Sequence, residues 1–82
     1  MKYYWILEKN PEDWDVTDAL LAMGAVHVST TTFTFYHVRR FIKQLTEEEI
    51  ILLMLKYGHC LTTRPATEDD MLSLKVRGHI KS

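Results

Sequence analysis

Six consecutive apolar residues at positions 50–55 form the middle of a segment that carries the end signals of a short helix. An α-helix turns about 100° per residue, so these positions go all the way round the helix axis and leave no polar face. Helices that are apolar all round are normally covered on two sides. A chain of 82 residues has little protein with which to supply a second cover. The sequence therefore predicts that another chain covers part of this helix.

The limits of this helix are marked on both sides. Thr46 with Glu49 three residues later is the pattern of a capping box, and Leu45 with Ile50 is that of a hydrophobic staple. A glycine follows the last turn, as is common at the C-termini of helices. These signals predict a helix over residues 46–57. The apolar run is also far shorter than the roughly 18 residues that a membrane span needs.

Length, charge and cysteine content narrow the class of protein. With 82 residues the chain is expected to form one α+β domain over residues 1–82. Ten Lys and Arg against eleven Asp and Glu give a net charge of −1, which indicates neither a strongly basic nucleic-acid binder nor an acidic mimic. Cys60 is the single cysteine, and the N-terminal residues lack the apolar run of a signal peptide. A cytoplasmic location is therefore expected.

Strand signals recur along the chain. Four segments have the alternation or the β-branched and aromatic content of strands: residues 2–8, 25–29, 32–38 and 59–64. The second and third are expected to form a hairpin with a tight turn at Thr30 and Thr31. That turn is a weak signal, since it lacks Asn-Gly or Asp-Gly. Pro65 is expected to close the last of these strands.

A first helix is expected between the first two strands. Asp15 is the expected N-cap, and Trp14 can form a hydrophobic staple with Ala19. The helix continues over residues that are largely apolar and ends at Gly24. An earlier start with Asn10 as the cap is the alternative.

The C-terminal segment has two interpretations. Residues 72–77 alternate strictly between apolar and polar types, which favours a strand. Thr67 with Asp70 can instead cap a final helix. We favour the strand, which gives the order β-α-β-β-α-β with one more strand possible. This order predicts a two-layer α+β sandwich of ferredoxin-like type, with an antiparallel or mixed sheet and both helices on one face.

The apolar residues exceed what such a core needs. Strand 2–8 is apolar on both faces, because Tyr4 and Ile6 alternate with Trp5 and Leu7. We predict a small non-enzymatic protein-binding module, acting as an inhibitor, an adaptor or half of a homodimer, that buries this surplus against a partner protein. The expected contacts are apolar and aromatic residues with a basic rim: Tyr4, Trp5, Leu52, Leu53, Arg39, Arg40 and Lys43.

The alternative is a single-stranded nucleic-acid binder. The strand order and the aromatic residues at Tyr4, Trp5, Phe33 and Phe35 resemble an RNA-recognition motif, whose first and third strands stack aromatics on bases. That resemblance implies a role for the basic cluster that follows these aromatics. The chain lacks the glycine-containing pattern of that family on its third strand, so we do not assign it to the family. Phe33 and Phe35 are more simply expected in the core.

Catalysis, metal binding and cofactor binding are not expected from this sequence. The four histidines lack the close repeated spacing of a structural zinc site, and neighbouring residues on a strand point to opposite faces. His59 next to Cys60 therefore does not form a nucleophile with its base. The three glycines are scattered and cannot cradle a phosphate.

Overall fold

The computed structural model describes residues 2–10 and 15–80 of the chain. It consists of a four-stranded antiparallel sheet and three helices, in an α+β arrangement. In chain order the elements are β1 (Lys2–Asn10), α1 (Asp15–Ala22), β2 (Val26–Thr32), β3 (His37–Leu45), α2 (Glu47–Tyr57), β4 (Leu61–Pro65) and α3 (Glu68–Val76). The staple from Trp14 onto Ala19 and the earlier helix start after Asn10 involve residues outside the described ranges.

The sheet has the strand order β2-β3-β1-β4, and every neighbouring pair is antiparallel. Ile6 lies opposite Phe41 and Glu8 opposite Arg39 in the central pair, so these side chains share one face. Strand β4 is an edge strand, which is where a residue such as Pro65 without a backbone N–H is tolerated.

The first face of the sheet carries the main core. Ile6 and Phe41 are fully buried at its centre, and helices α1 and α2 pack over them. The buried members of this core come from five elements and the loop between α1 and β2: Ile6, Val16, Leu20, Ala25, Phe41, Leu45, Leu53 and Leu61. Leu45, which directly precedes the N-cap of α2, and the half-buried Ile50 both belong to this core, as the staple predicted.

Helix α1 ends as its sequence predicts. Gly24 has a φ of +93°, which an L side chain rarely adopts. Its N–H donates to the carbonyl of Leu21, and the N–H of Ala25 donates to that of Leu20, both at 3.0 Å. This is a Schellman motif, and the burial of both Ala25 and Leu20 supplies its apolar contact.

The second face of the sheet is partly covered by α3, so the expected two-layer sandwich gains a third layer. Trp5 and Ile42 are a cross-strand pair that points away from the main core. Ile42 is fully buried, as is Leu74 of α3, and Ile80 lines a cavity together with Ile42. The carboxylate of Asp70 interacts with the Trp5 indole. The apolar outer face of β1 is thus partly filled from within the chain.

The strand predicted over residues 72–77 is wrong, because this segment belongs to α3. Thr67 and Asp70 form the capping box that the alternative interpretation required. At the other end Gly78 has a φ of +82°, and the N–H of His79 donates to the Leu74 carbonyl at 2.9 Å. Both ends of the helix are therefore fixed locally, and these two signals outweigh a six-residue alternation.

The predicted hairpin turn at Thr30 and Thr31 is also wrong. Both threonines lie within β2, as their β-branched side chains favour, and the turn falls at residues 33–36. Phe33 and Phe35, which were expected in the core, lie in this turn and are exposed. Strand β3 runs on to Leu45, and its middle is buried on both faces, which obscures the alternation that marks a half-buried strand.

Candidate functional site

Helix α2 has one side in the core. Leu53 is buried, and Ile50 and Tyr57 are half-buried against the same core. These positions are three and four residues apart, so they fall on one stripe of the helix. All other residues of the apolar run therefore point toward its flanks or toward solvent.

The remaining apolar residues of α2 form a contiguous exposed surface. Ile51 is 58% exposed, Leu52 65%, Met54 36% and Leu55 79%. We call these residues the α2 patch. Single exposed apolar residues are common on proteins, but contiguous groups of this kind are typical of interaction sites. The patch places one of the predicted contact residues, Leu52, on the surface and the other, Leu53, in the core.

The α2 patch is presented by a helix with a firmly fixed start. The backbone N–H of Thr46 donates to Glu49 Oε1 at 3.0 Å, and the N–H of Glu49 donates to Thr46 Oγ1 at 3.2 Å. The hydrogen bonds with Thr46, the backbone one first, together with the nearby Lys43 ammonium, hold the pKa of Glu49 below its ordinary value of 4.5. The predicted capping box is therefore present, and the exposed residues are not a frayed end.

A groove runs beside the α2 patch, between α1 and α2. Its volume is about 340 Å³, and its lining includes Ala19 and Met23 from α1 and Leu52 and Leu53 from α2. Glu49 and Lys56 add one charge of each sign to the lining. The surface available to a partner therefore consists of a projecting apolar ridge and an adjoining apolar recess.

Charges of opposite sign flank the α2 patch. The first turn of α2 carries Glu47, Glu48 and Glu49, and its last turn carries Lys56. The ammonium of Lys56 lies over the Tyr57 ring, 5.3 Å from its centroid. Such a distribution also stabilises the helix dipole, so by itself it does not indicate a partner.

The predicted contacts on β1 are only partly available. Tyr4 is half-buried and packs against the main core, whereas Trp5 points to the opposite face, under α3. The buried Trp5 Nε1 makes no hydrogen bond of ordinary length and angle within the described residues. The Thr67 backbone N–H and the Trp5 indole N–H nevertheless hold the pKa of Asp70 below its ordinary value of 3.8. A weak electrostatic contact with that carboxylate accounts for both observations.

Arg39, predicted as part of a charged rim, is buried. Its Nη1 lies 3.2 Å from Oε1 of Glu8, a carboxylate with no exposed surface. The hydroxyl of Thr17 lies 2.5 Å and 2.8 Å from the two oxygens of the same carboxylate. This cluster joins β1, β3 and α1, so Arg39 contributes to the core instead of a surface rim.

The rest of the predicted rim is divided between the faces of the sheet. Arg40 and Lys43 lie three residues apart on β3, so their side chains point in opposite directions. Arg40 donates a hydrogen bond from Nη1 to Thr31 Oγ1 at 2.8 Å. The charge of Lys43 instead helps to lower the pKa of Glu49 near the start of α2. The structure does not bring Arg39, Arg40 and Lys43 together as one basic surface.

A second exposed apolar group lies at the β2–β3 turn. Phe33 stacks on Tyr36 with 4.8 Å between the ring centroids, and the Lys9 ammonium lies 4.4 Å from the centroid of the Tyr36 ring. Phe35 is 85% exposed at the tip. These aromatics are in a turn instead of on a strand surface, which differs from the arrangement that stacks bases on a sheet.

Within residues 2–10 and 15–80, no group of three His, Cys, Asp or Glu side chains is close enough to hold a metal ion. Two of the histidines make local hydrogen bonds on the hairpin, His27 with Thr30 at 2.7 Å and His37 with Thr32 at 3.2 Å.

None of the helices within residues 2–10 and 15–80 has the length and apolar content to cross a membrane. Comparison of the chain with protein-family models, with curated protein sequences and with solved structures gives no match.

Sequence reasoning missed three exposed members of the α2 patch, Ile51, Met54 and Leu55. The signal that could have found them is the staple formed by Leu45 and Ile50. A staple fixes which side of the helix faces the core, and residues three and seven positions after Ile50 then follow on that side. The residues between them are left for the outer surface.

Proposed function

We propose that this protein is a non-enzymatic binding module that acts by burying the α2 patch against a partner protein. The observation that carries the proposal is the exposure of Ile51, Leu52 and Leu55, all above half, on a helix with a complete capping box. The capping box and the core contacts of Leu53 already hold this helix in place, so its apolar outer side is available to a partner.

The magnitude of apolar burial indicates what else the interface must contain. Complete burial of an aliphatic side chain is worth about 1.5–3 kcal/mol, whereas association costs about 4–15 kcal/mol in lost freedom. The four residues of the α2 patch are already partly buried, so covering them offsets only part of this cost over most of that range. The adjoining groove between α1 and α2 and the charges of α2 supply the further contacts that a stable complex needs.

We also propose that the sheet with α1 and α2 is a ferredoxin-like unit, to which α3 is added. The support is the β-α-β-β-α-β order of the first six elements and the position of β1 between β3 and β4. This fold implies no chemistry by itself. The cytoplasm remains the proposed location, supported by the single cysteine in the chain.

Site-specific photo-crosslinking in cells that naturally produce the protein tests the binding function. A benzophenone amino acid is placed at Leu52 or at Leu72 of α3, which are 65% and 64% exposed and so form a matched pair. We expect discrete crosslinked species from position 52 and none from position 72. Equal crosslinking from both positions, or none from position 52, contradicts the proposal.

The nucleic-acid alternative has less support, because its strand aromatics Tyr4 and Trp5 are half-buried and Arg39 is enclosed in the core. We expect single-stranded oligonucleotides to leave the tryptophan fluorescence unchanged at low and moderate salt. Quenching that weakens as the salt concentration rises would instead favour the alternative, since phosphate contacts release counterions. The same titration with Phe35→Ala would then show whether the turn aromatics take part.

A further inference from the structure

We propose that the partner which covers the α2 patch is a second copy of this chain, with the two α2 helices packed antiparallel about a two-fold axis. This inference rests on the proposed function and names the partner. Closed two-fold dimers use the same surface on both copies, so that surface must be complementary to itself. The charges of the α2 surface meet this condition, and its exposed apolar residues lie beside them on the same helix.

The charge pattern is complementary only in the antiparallel arrangement. Glu48, Leu52 and Lys56 are four residues apart, so they form one row along the helix, and all three are exposed. When the two-fold axis passes near Leu52, Glu48 of each copy lies beside Lys56 of the other. A parallel pair would place like charges side by side, which is unfavourable.

The apolar residues of this surface come together in the same arrangement. Leu52 projects from the ridge and also borders the recess between α1 and α2, which Ala19 and Met23 line on the far side. A two-fold axis beside Leu52, perpendicular to the helices, brings the Leu52 side chains of the two copies together and places the two recesses on the same side of the pair. Ile51 and Leu55, in the next row of the helix, extend the apolar contact along the pair.

The dipoles of the two helices support the same orientation. The acidic first turn of each α2, with Glu47 and Glu48, comes to lie near the C-terminal end of the other helix, where Lys56 is located. Antiparallel helices also align their dipoles favourably. A foreign partner would have to reproduce both signs of charge at the same spacing, whereas a second copy does so by symmetry.

Sedimentation equilibrium at low ionic strength tests the inference by charge reversal. We expect wild-type protein to form a dimer, and Glu48→Lys or Lys56→Glu alone to weaken dimerisation by about tenfold or more. The variant with both reversals restores the pairing and is expected to return to within about threefold of wild type. Glu68→Lys and Lys75→Glu on α3 are controls that make the same charge changes on exposed residues elsewhere.

The outcomes separate this inference from the proposed function. Helix stabilisation alone would let Glu48→Lys lower the melting temperature without altering dimerisation, and that result overturns the antiparallel pairing. A failure of the double reversal to recover dimerisation overturns it as well. Wild-type protein that stays monomeric at several hundred micromolar removes the second copy as partner. If position 52 still crosslinks to a foreign protein, the proposed function stands; if it crosslinks to nothing, both fail.

Discussion

At the scale of single residues, the most constrained group in the molecule is the carboxylate of Glu8. It is completely buried, yet it receives the Thr17 hydroxyl and the Arg39 guanidinium from two other elements. A buried charge without a partner is costly, whereas a paired and hydrogen-bonded one is tolerated. Glu8 therefore fixes how α1 and β3 are placed on β1, which in turn sets one wall of the groove beside α2.

Arg39→Ala should destabilise the protein strongly, because it leaves the Glu8 carboxylate buried without its cation. The expected loss is about 3–5 kcal/mol in the free energy of unfolding. Urea denaturation of the variant at pH 7 measures it. Glu8→Leu combined with Arg39→Leu removes both charges and is expected to recover most of that loss. A loss below about 1 kcal/mol for Arg39→Ala would show that the pair is not buried in solution.

Two adjacent leucines of α2 should respond very differently to truncation. Leu53 is 7% exposed and belongs to the core, so Leu53→Ala should cost about 2–4 kcal/mol of unfolding free energy. Leu52 is 65% exposed, and Leu52→Ala should change that free energy by no more than about 0.5 kcal/mol in dilute solution. Thermal and urea denaturation at micromolar concentration check both values. Equal losses would mean that Leu52 is a core residue.

At the scale of elements, α2 and α3 begin with the same capping arrangement. Each begins with a threonine N-cap and a carboxylate three residues later that receives the backbone N–H of the cap. The carboxylate must be ionised to accept this bond well, and the pKa values of Glu49 and Asp70 are accordingly lowered. Both helix starts therefore depend on pH.

Stability should fall as the solution is acidified. The pKa values of Glu49 and Asp70 are lower in the folded chain than their ordinary values of 4.5 and 3.8, so the unfolded chain binds protons more readily. Their contribution is complete above those ordinary values and is lost as the pH falls through the folded ones. Urea denaturation between pH 6 and pH 3 should show this decrease. Glu49→Gln with Asp70→Asn should reduce the pH dependence; an unchanged profile would contradict the assignment.

The elements differ in how far their sequences define them. Thr46 with Glu49 and Leu45 with Ile50 define α2, because caps and staples involve only neighbouring residues. The final helix could have been recognised from Thr67, Asp70 and Gly78 together. Strand β3 could not be placed in the same way, because the burial of Arg39 depends on Glu8, which lies 31 residues earlier. Long-range pairing of this kind leaves no local pattern.

At the scale of the whole molecule, the surplus of apolar residues predicted from sequence is divided in two. The apolar surplus on β1 is partly covered within the chain, because α3 lies over Trp5 and Ile42 on the second face of the sheet. The apolar surplus on α2 stays exposed, since no element of the described chain covers Leu52 and Leu55. The prediction that another chain supplies a cover therefore concerns α2 and not β1. The basic rim expected around that cover is not assembled.

The candidate site was only partly predictable for a related reason. A run that is apolar all round identifies the helix but does not show which side of it faces solvent. That side depends on how α2 packs against α1 and the sheet. Leu52 and Leu53 were both expected to contact the partner, and only packing distinguishes them. The groove beside α2 combines Met23 with residues about 30 positions later, so only the folded chain shows it.

The central claim is that another chain covers the α2 patch in the cell, and cysteine labelling measures this most directly. Leu52→Cys and Leu72→Cys are made in a Cys60→Ala background and labelled with a membrane-permeant maleimide, in cells and as dilute purified protein. We predict that position 52 reacts much more slowly in cells than in dilute solution, while position 72 reacts at similar rates in both. Equal rates in both settings at position 52 would contradict the account.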